Sequence, residues 1–291
     1  MSADDHPQES TESEALDAAG VSDEEALDLL RSATIEPVGV LTQASNLTLL
    51  VDVHDALGTA TGHRAVYKPI RGERPLRDFP LGTLAAREVA AYLVSCTGRF
   101  EIVPPTVLRD GPLGEGSLQW WVDQDPERLA DPSAGLVEVL PPGDLEPGWL
   151  PVVTGSDEEG HEVVVAHADD PRLRRMAVLD ALLSNADRKA AHLTLDPRGR
   201  LRGFDHGLSL HVEDKLRTVL WGWAGQPLAA DEMRAVEAVL EGLNGQLGAE
   251  LAQLLSVPEV EALRARGLAL TESGAFPDPP GDRYPLPWPL W

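Results

Sequence analysis

Two short polar clusters, their leading carboxylates eighteen residues apart, constrain this chain more than any other feature. The first is Asn185-Ala186-Asp187-Arg188-Lys189-Ala190-Ala191-His192, and the second is Phe204-Asp205-His206-Gly207. Between them lie Leu193-Thr194-Leu195, a turn at Asp196-Pro197-Arg198-Gly199, and a second apolar run from Leu201 to Phe204. Two short strands joined by a tight turn bring the chain back to where it started. The pattern therefore predicts a hairpin with Asp187 and Asp205 at the same end. Two carboxylates so placed, with His192 five residues after the first, suit a metal and its polyphosphate.

The upstream half is read for parts that such a site needs. Ser22-Asp23-Glu24-Glu25 is a capping box ahead of Ala26, Leu27, Leu29 and Leu30, so a helix starts there. Strands are predicted at Gly39–Leu41 and Leu47–Val51, around a polar bend where Ser45 and Asn46 could meet a phosphate. A third strand, Ala65-Val66-Tyr67-Lys68-Pro69, puts Lys68 on the same face as Val66, where a lysine is unusual without a partner. Thr83–Thr97 has helical spacing and carries Glu88 among apolar residues, with Gly98 as a stop. Strands are further predicted at Ile102–Leu108 and Ser117–Val122. The apolar end of the latter, Trp121-Val122, is a candidate base pocket.

Downstream, a strand pair is expected at Leu150–Val153 and Glu162–Ala166. A helix over Pro171–Leu183 runs directly into the first cluster. Three more helices follow near 230–243, 246–255 and 257–267. Residues 276–291 alternate Pro, Trp and Leu, which excludes regular helix.

Composition bounds the function. Hydrophobic content is 43% and no apolar run is long enough to span a bilayer. The first residues lack the pattern of a signal peptide, and Cys96 is the single cysteine, so the cytoplasm is the expected compartment. A net charge of −24 argues against nucleic acid or an anionic membrane as partner. Basic residues nevertheless gather at 64–77 and 172–202, read either as solvated faces or as an anion-binding cleft inside an acidic shell.

With these residues in place, the chain resembles the protein-kinase-like superfamily, and within it the small bacterial phosphatidylinositol 3-/4-kinase-like proteins. The resemblance rests on Lys68, Glu88, Asp187-Arg188 with His192, and Asp205-His206-Gly207, and covers roughly residues 35–225. It implies a two-lobed α+β fold, with a β-rich N-lobe holding one key helix and a mostly helical C-lobe. Residues 1–21 would be a disordered acidic tail, 22–122 the nucleotide-binding lobe and 123–148 a connection. Residues 149–275 would be the catalytic lobe and 276–291 a tail packed on the body.

By the same resemblance Lys68 contacts the ATP α- and β-phosphates and is held by Glu88. Asp187 orients or deprotonates the acceptor hydroxyl, Lys189 neutralises charge on the transferred group, and Asp205 binds Mg²⁺. The pattern departs from that of kinases in two places. No glycine-rich loop precedes Lys68, and His192 stands where kinases carry a metal-binding Asn, which favours Mn²⁺ over Mg²⁺. Three readings follow: transfer of the ATP γ-phosphoryl group to a protein or small-molecule hydroxyl, a nucleotide-binding pseudokinase, and a metal-dependent hydrolase using Asp187, His192, Asp205 and His206. A lipid acceptor is disfavoured by the net charge and by the lack of a basic amphipathic helix.

Overall fold

Ser22 starts the first helix as its sequence requires. In the computed structural model, which describes residues 20–42, 44–124 and 131–291, the Ser22 hydroxyl accepts from the Glu25 N–H at 3.2 Å. The Glu25 carboxylate in turn accepts from the Ser22 N–H at 3.0 Å. This helix, α1 (Asp23–Ser32), packs Ala26 and Leu30 on one face of an antiparallel sheet. The strands are β1 (Thr34–Val40), β2 (Leu49–His54), β3 (Ala60–Pro69), β4 (Thr106–Gly111) and β5 (Gly114–Trp120), in the order β1-β2-β3-β5-β4.

The period-two alternation of β3 sends Ala65 and Tyr67 into the core beneath α1. Val66 and Lys68 consequently face the other way, toward α2 (Leu84–Thr97). Pairing of Leu49 with Tyr67 brings the β1–β2 loop to the Lys68 end of the sheet.

The strands differ from expectation at prolines and glycines. β1 begins at Thr34 rather than Gly39 and runs through Pro37. It is an edge strand, so Pro37 costs no ladder bond, and the register slips between Pro37 and Gly39. β4 starts only at Thr106, because Pro104 and Pro105 have no N–H to pair. β5 starts at Gly114 and ends at Trp120, which leaves Trp121 and Val122 just beyond it.

The second half holds β6 (Val137–Leu140), β7 (Trp149–Ser156) and β8 (Glu162–Ala168) in a sheet ordered β6-β8-β7. Part of the segment expected as a connection thus supplies an edge strand. Then come α3 (Pro171–Leu183), the hairpin β9 (Leu193–Leu195) and β10 (Leu201–Gly203), and helices α4 (Ala230–Gly242), α5 (Gln246–Leu251) and α6 (Val257–Ser273). Leu173, Met176, Leu179 and Leu183 of α3 form the core with Val236 and Val239 of α4 and Leu263 and Leu270 of α6. The architecture is the β-rich lobe and mostly helical second half that the sequence predicts. Among the described residues no helix is long and apolar enough to cross a membrane. The acidic stretch expected to be disordered lies outside the described residues up to position 19.

The last residues form a strap rather than a helix. Leu286 and Pro287 are buried. The Pro285 carbonyl accepts from the Thr218 N–H at 3.2 Å and from the Trp221 Nε1–H at 2.9 Å, and the Leu290 carbonyl accepts from the Ala190 N–H at 2.9 Å. The strap therefore holds the loop that carries Asp187.

His167 on β8 fixes the segment on the strap's other side. Its ring lies 4.2 Å from that of Trp223, its Nδ1 bonds the Ala168 carbonyl at 3.0 Å, and its Nε2 accepts from the Gly222 N–H at 3.0 Å. A Cβ on Gly222 would sit 2.4 Å from Leu150 Cβ and 2.6 Å from His167 Nε2, so this contact needs glycine. One neutral tautomer satisfies both ring nitrogens, and burial pushes the imidazole down to about 4. The folded state resists protonation here, whereas the unfolded chain takes up the proton near 6.5. Stability from this site is therefore complete above pH 6.5 and lost as pH falls from there toward 4. Chemical denaturation at pH 7.5 and pH 5 should show the advantage of wild type over His167→Gln shrinking by about 2 kcal/mol. An advantage independent of pH would mean that His167 is not held neutral.

Candidate active site

β3, α2 and the open end of the β9–β10 hairpin converge on one charged cluster. Lys68 Nζ lies 2.5 Å from Glu88 Oε1 and 3.0 Å from Asp205 Oδ1. The second oxygen of Glu88 accepts from the His206 N–H at 3.0 Å, so one carboxylate joins the lysine to the Asp205-His206-Gly207 turn. Gly207 packs against α2: a Cβ there would stand 3.3 Å from Leu84 Cβ and 3.5 Å from Glu88 Oε1, a close but tolerable fit. Asp205 itself has φ 61°, the left-handed region, which costs a non-glycine residue about 1–2 kcal/mol. Backbone held that way by its surroundings clusters at functional sites.

The other half of the cluster comes from the loop after α3. His192 Nδ1 donates to the Asp187 carbonyl at 2.9 Å, which fixes the tautomer and leaves the Nε2 lone pair facing Asp205 Oδ2 at 3.4 Å. Burial holds His192 neutral, with its pKa down to about 4. The Lys68 ammonium holds the half-exposed Asp205 carboxyl well below the usual range, outweighing the partial desolvation that would raise it. Burial opposes charge on Lys68, but Asp205 and Glu88 outweigh it and raise its pKa. Asp187 is raised to about 6 by burial, offset in part by Lys189, whose Nζ lies 3.3 Å from Asp187 Oδ2.

Lys68, Glu88, Asp187, Lys189, His192 and Asp205 are therefore assembled. The other four candidates are placed elsewhere. Ser45 is exposed on the β1–β2 loop, and Asn46 Oδ1 accepts from the Arg74 N–H at 2.8 Å, so that side chain pins one loop to another. Trp121 lies under the Arg64 guanidinium, 5.2 Å from its ring centre. With Val122, His63 and Arg202 it lines a cavity of about 210 Å³ that none of the six assembled residues touches.

His206 is turned inward. Its Nε2 takes a 2.6 Å contact from Arg188 Nη2, and the ring is fully buried and held neutral by burial and by that guanidinium. The four-ligand hydrolase set loses a member, because the ring's acceptor nitrogen is spent on Arg188. Among the described residues, the group that brings three ligand atoms within 4.8 Å of one another is Asp157, Glu159 and His161, exposed at the β7–β8 turn. In the cluster two face each other, His192 Nε2 and Asp205 Oδ2.

The chain is 47% identical over 266 residues to Protein Rv2133c of Mycobacterium tuberculosis (strain ATCC 25618 / H37Rv), spanning 90% of this chain and 94% of that one. It belongs to the Rv2133c family. No family model matches it. Among solved structures it is similar to hydra Fam20 with sugar, with a TM-score of 0.48, 16% identity, and 86% of this chain and 87% of that one covered. It is also similar to the Helicobacter pylori proinflammatory kinase CtkA, with a TM-score of 0.44, 11% identity and coverage of 84% and 93%.

Two elements of this family member's site escape a reading of motifs. The first is Asp180, which the sequence offers only as one position on the α3 stripe. It is fully buried and takes the Arg188 guanidinium on both oxygens, Nε at 2.7 Å and Nη2 at 3.0 Å. A carboxylate in an otherwise apolar helical stripe demands a partner, and that was the available signal. The second is Arg87, fully buried beside Glu88. Its Nη2 donates to Glu259 of α6 and its Nη1 to the Ser209 carbonyl at 2.8 Å, fastening α2 to the helical half. Asp180→Asn should cost about 3–5 kcal/mol in urea unfolding, because it leaves the Arg188 charge buried without a counter-charge. A loss under 1 kcal/mol would show that the pair does not hold this loop.

Proposed function

We propose that the chain is an ATP-dependent phosphotransferase of the protein-kinase-like type, moving the γ-phosphoryl group to a hydroxyl. One observation supports this above the rest. A strand lysine is bonded at once to a carboxylate of the first following helix and to the aspartate of an Asp-x-Gly turn, and kinases use that triad to hold polyphosphate. The narrower likeness to phosphatidylinositol 3-/4-kinase-like proteins belongs to the same proposal, with a soluble hydroxyl in place of a lipid.

On this reading Lys68 binds the α- and β-phosphates, and Glu88 keeps it extended. The base pocket that the sequence offers at Trp121-Val122 lies in a cavity apart from this cluster, and Asn46 is engaged with Arg74, so the reading rests on the six assembled residues. Asp187 receives the acceptor's proton, and its raised pKa keeps it basic while still largely ionised at neutral pH. The acceptor oxygen forms the new bond to the γ-phosphorus, and the β–γ bridging oxygen leaves with ADP. Lys189 offsets charge gathering on the transferred group.

The donor atoms also fit a divalent cation. The neutral His192 Nε2 and the Asp205 Oδ2 are two acceptors turned toward each other at 3.4 Å, with no proton to share. A cation held by both would neutralise the polyphosphate and supply electrostatic stabilisation. An imidazole ligand favours Mn²⁺ over Mg²⁺.

The competing reading, a nucleotide-binding module without transfer, draws on the β1–β2 loop. Asn46 there is engaged with Arg74, and the loop has no glycine-rich cradle. Transfer of labelled γ-phosphate separates the two. Wild type should turn over faster with Mn²⁺ than with Mg²⁺, and Asp187→Asn should lower the rate by about 10²–10⁴-fold. His192→Asn should shift the preference toward Mg²⁺. Turnover that Asp187→Asn leaves unchanged would remove Asp187 from the mechanism, and none in wild type would favour the binding module.

A further inference from the structure

In a chain of net charge −24, most basic side chains of the described residues are tied into ion pairs or backbone bonds. Those with neither a side-chain hydrogen bond nor a carboxylate within 4.0 Å, among the described residues, include Arg71, Arg74, Arg77 and Arg217. A fifth, Arg234, is exposed on α4, and the other four lie on two segments joined by the Lys215–Asp78 ion pair. Arg71, Arg74 and Arg77 are exposed on the loop that begins three residues after Lys68. That loop is anchored to the β1–β2 loop by the Leu47 N–H on the Gly72 carbonyl at 3.2 Å and by the Arg74 N–H on Asn46.

Arg217 stands on the opposite side of the cleft. Its N–H donates to the Asn185 carbonyl at 2.9 Å and its carbonyl accepts from the Arg188 N–H at 3.0 Å, which fixes it alongside Asp187. Lys215 Nζ reaches across to Asp78 at 3.1 Å and draws the two segments together. Exposed apolar side chains accompany these charges: Leu76 between Arg74 and Arg77, Leu81 further along the same loop, and Val212 on the facing segment, which also carries the exposed Glu213 and Asp214.

We propose that this rim docks an acidic, hydroxyl-bearing peptide segment as the phosphoryl acceptor. The inference rests on the phosphotransferase reading and names the substrate class for that site. Arginines on both sides of a cleft, none with a carboxylate within 4.0 Å, set in an otherwise acidic surface, draw in an anionic partner that the rest of the surface repels. The accompanying Leu76, Leu81 and Val212 suit an extended chain with side chains of its own, and give nothing to a small phosphorylated molecule. Arg71, Arg74 and Arg77 have no carboxylate within 4.0 Å, which leaves charge for the visitor to supply, while Arg217 acts on Asp78 from a distance.

The test is fluorescence anisotropy on the full chain. It uses a labelled peptide in which one Ser is flanked by Glu, and a control in which every Glu is Lys. The acidic peptide should bind at least tenfold tighter than the control and weaken as salt rises. Arg74→Glu with Arg77→Glu, and separately Arg217→Glu, should each lower its affinity about tenfold or more. The thermal shift given by Mn²⁺ and ATP should persist in all of them. Equal binding of both peptides, or binding indifferent to the arginine variants, would overturn the proposal. So would loss of the nucleotide shift in those variants, because the arginines would then serve ATP itself. Displacement by a phosphorylated sugar with no binding of the acidic peptide would likewise assign the rim to a small molecule. Failure of the phosphotransferase reading shows separately, as no transfer of labelled γ-phosphate by wild type, since peptide capture is measured without ATP.

Discussion

The Arg188 guanidinium is the point on which the site depends. Its nitrogens hold both oxygens of Asp180, the carbonyls of His192 at 3.3 Å and Phe204 at 3.1 Å, and His206 Nε2. One planar fork, completely out of water, thus fixes the helix end, the Asp187 loop and the Asp205 turn relative to one another. A lysine in its place would carry a point charge and could not reach five acceptors in a plane. Desolvating such a pair is expensive, and its return is geometric: it sets where Asp187, His192 and Asp205 stand.

From that hub the order passes to the β-rich half through Glu88. Its two oxygens divide between Lys68 and the His206 N–H, so the sheet lysine and the Asp205 turn share a single carboxylate. Arg87, one residue earlier on α2, anchors the same helix to Glu259 and Ser209 of the helical half. The pairing of Lys68 with Glu88 is therefore built into the resting structure. The strap adds a third restraint, through Leu290 on Ala190 and Pro285 on Thr218. An arrangement held from three sides matches what phosphoryl transfer asks of a protein, which is chiefly position and fixed charge.

Much of this was legible in the sequence because it is written in periodicity and spacing. The alternation of Ala65 to Lys68 set the lysine's face, the apolar spacing of residues 171–183 set α3, and Asp196-Pro197-Arg198-Gly199 set the hairpin. What escaped depends on contacts between distant residues. Arg87 and Glu259 are far apart in the chain, and nothing local in either announces the other. Asp180 was visible only as an anomaly in an apolar stripe. Strand ends shifted where prolines decided them, at Pro37 on an edge and at Pro104-Pro105 before β4. Asn46 is tied to Arg74 rather than left facing the cleft, because a polar side chain at a bend takes the nearest unpaired backbone group.

The central claim is that Lys68, Glu88, His192 and Asp205 form a nucleotide–metal site. Thermal unfolding with ATP and Mn²⁺, on wild type and on Asp205→Ala, addresses it most directly. The account predicts that ATP and Mn²⁺ together raise the wild-type midpoint, with ligand at about 100 times its dissociation constant adding about 2.7 kcal/mol, and that Asp205→Ala loses most of that rise. A wild-type midpoint unmoved by ATP with Mn²⁺ or Mg²⁺ would contradict it.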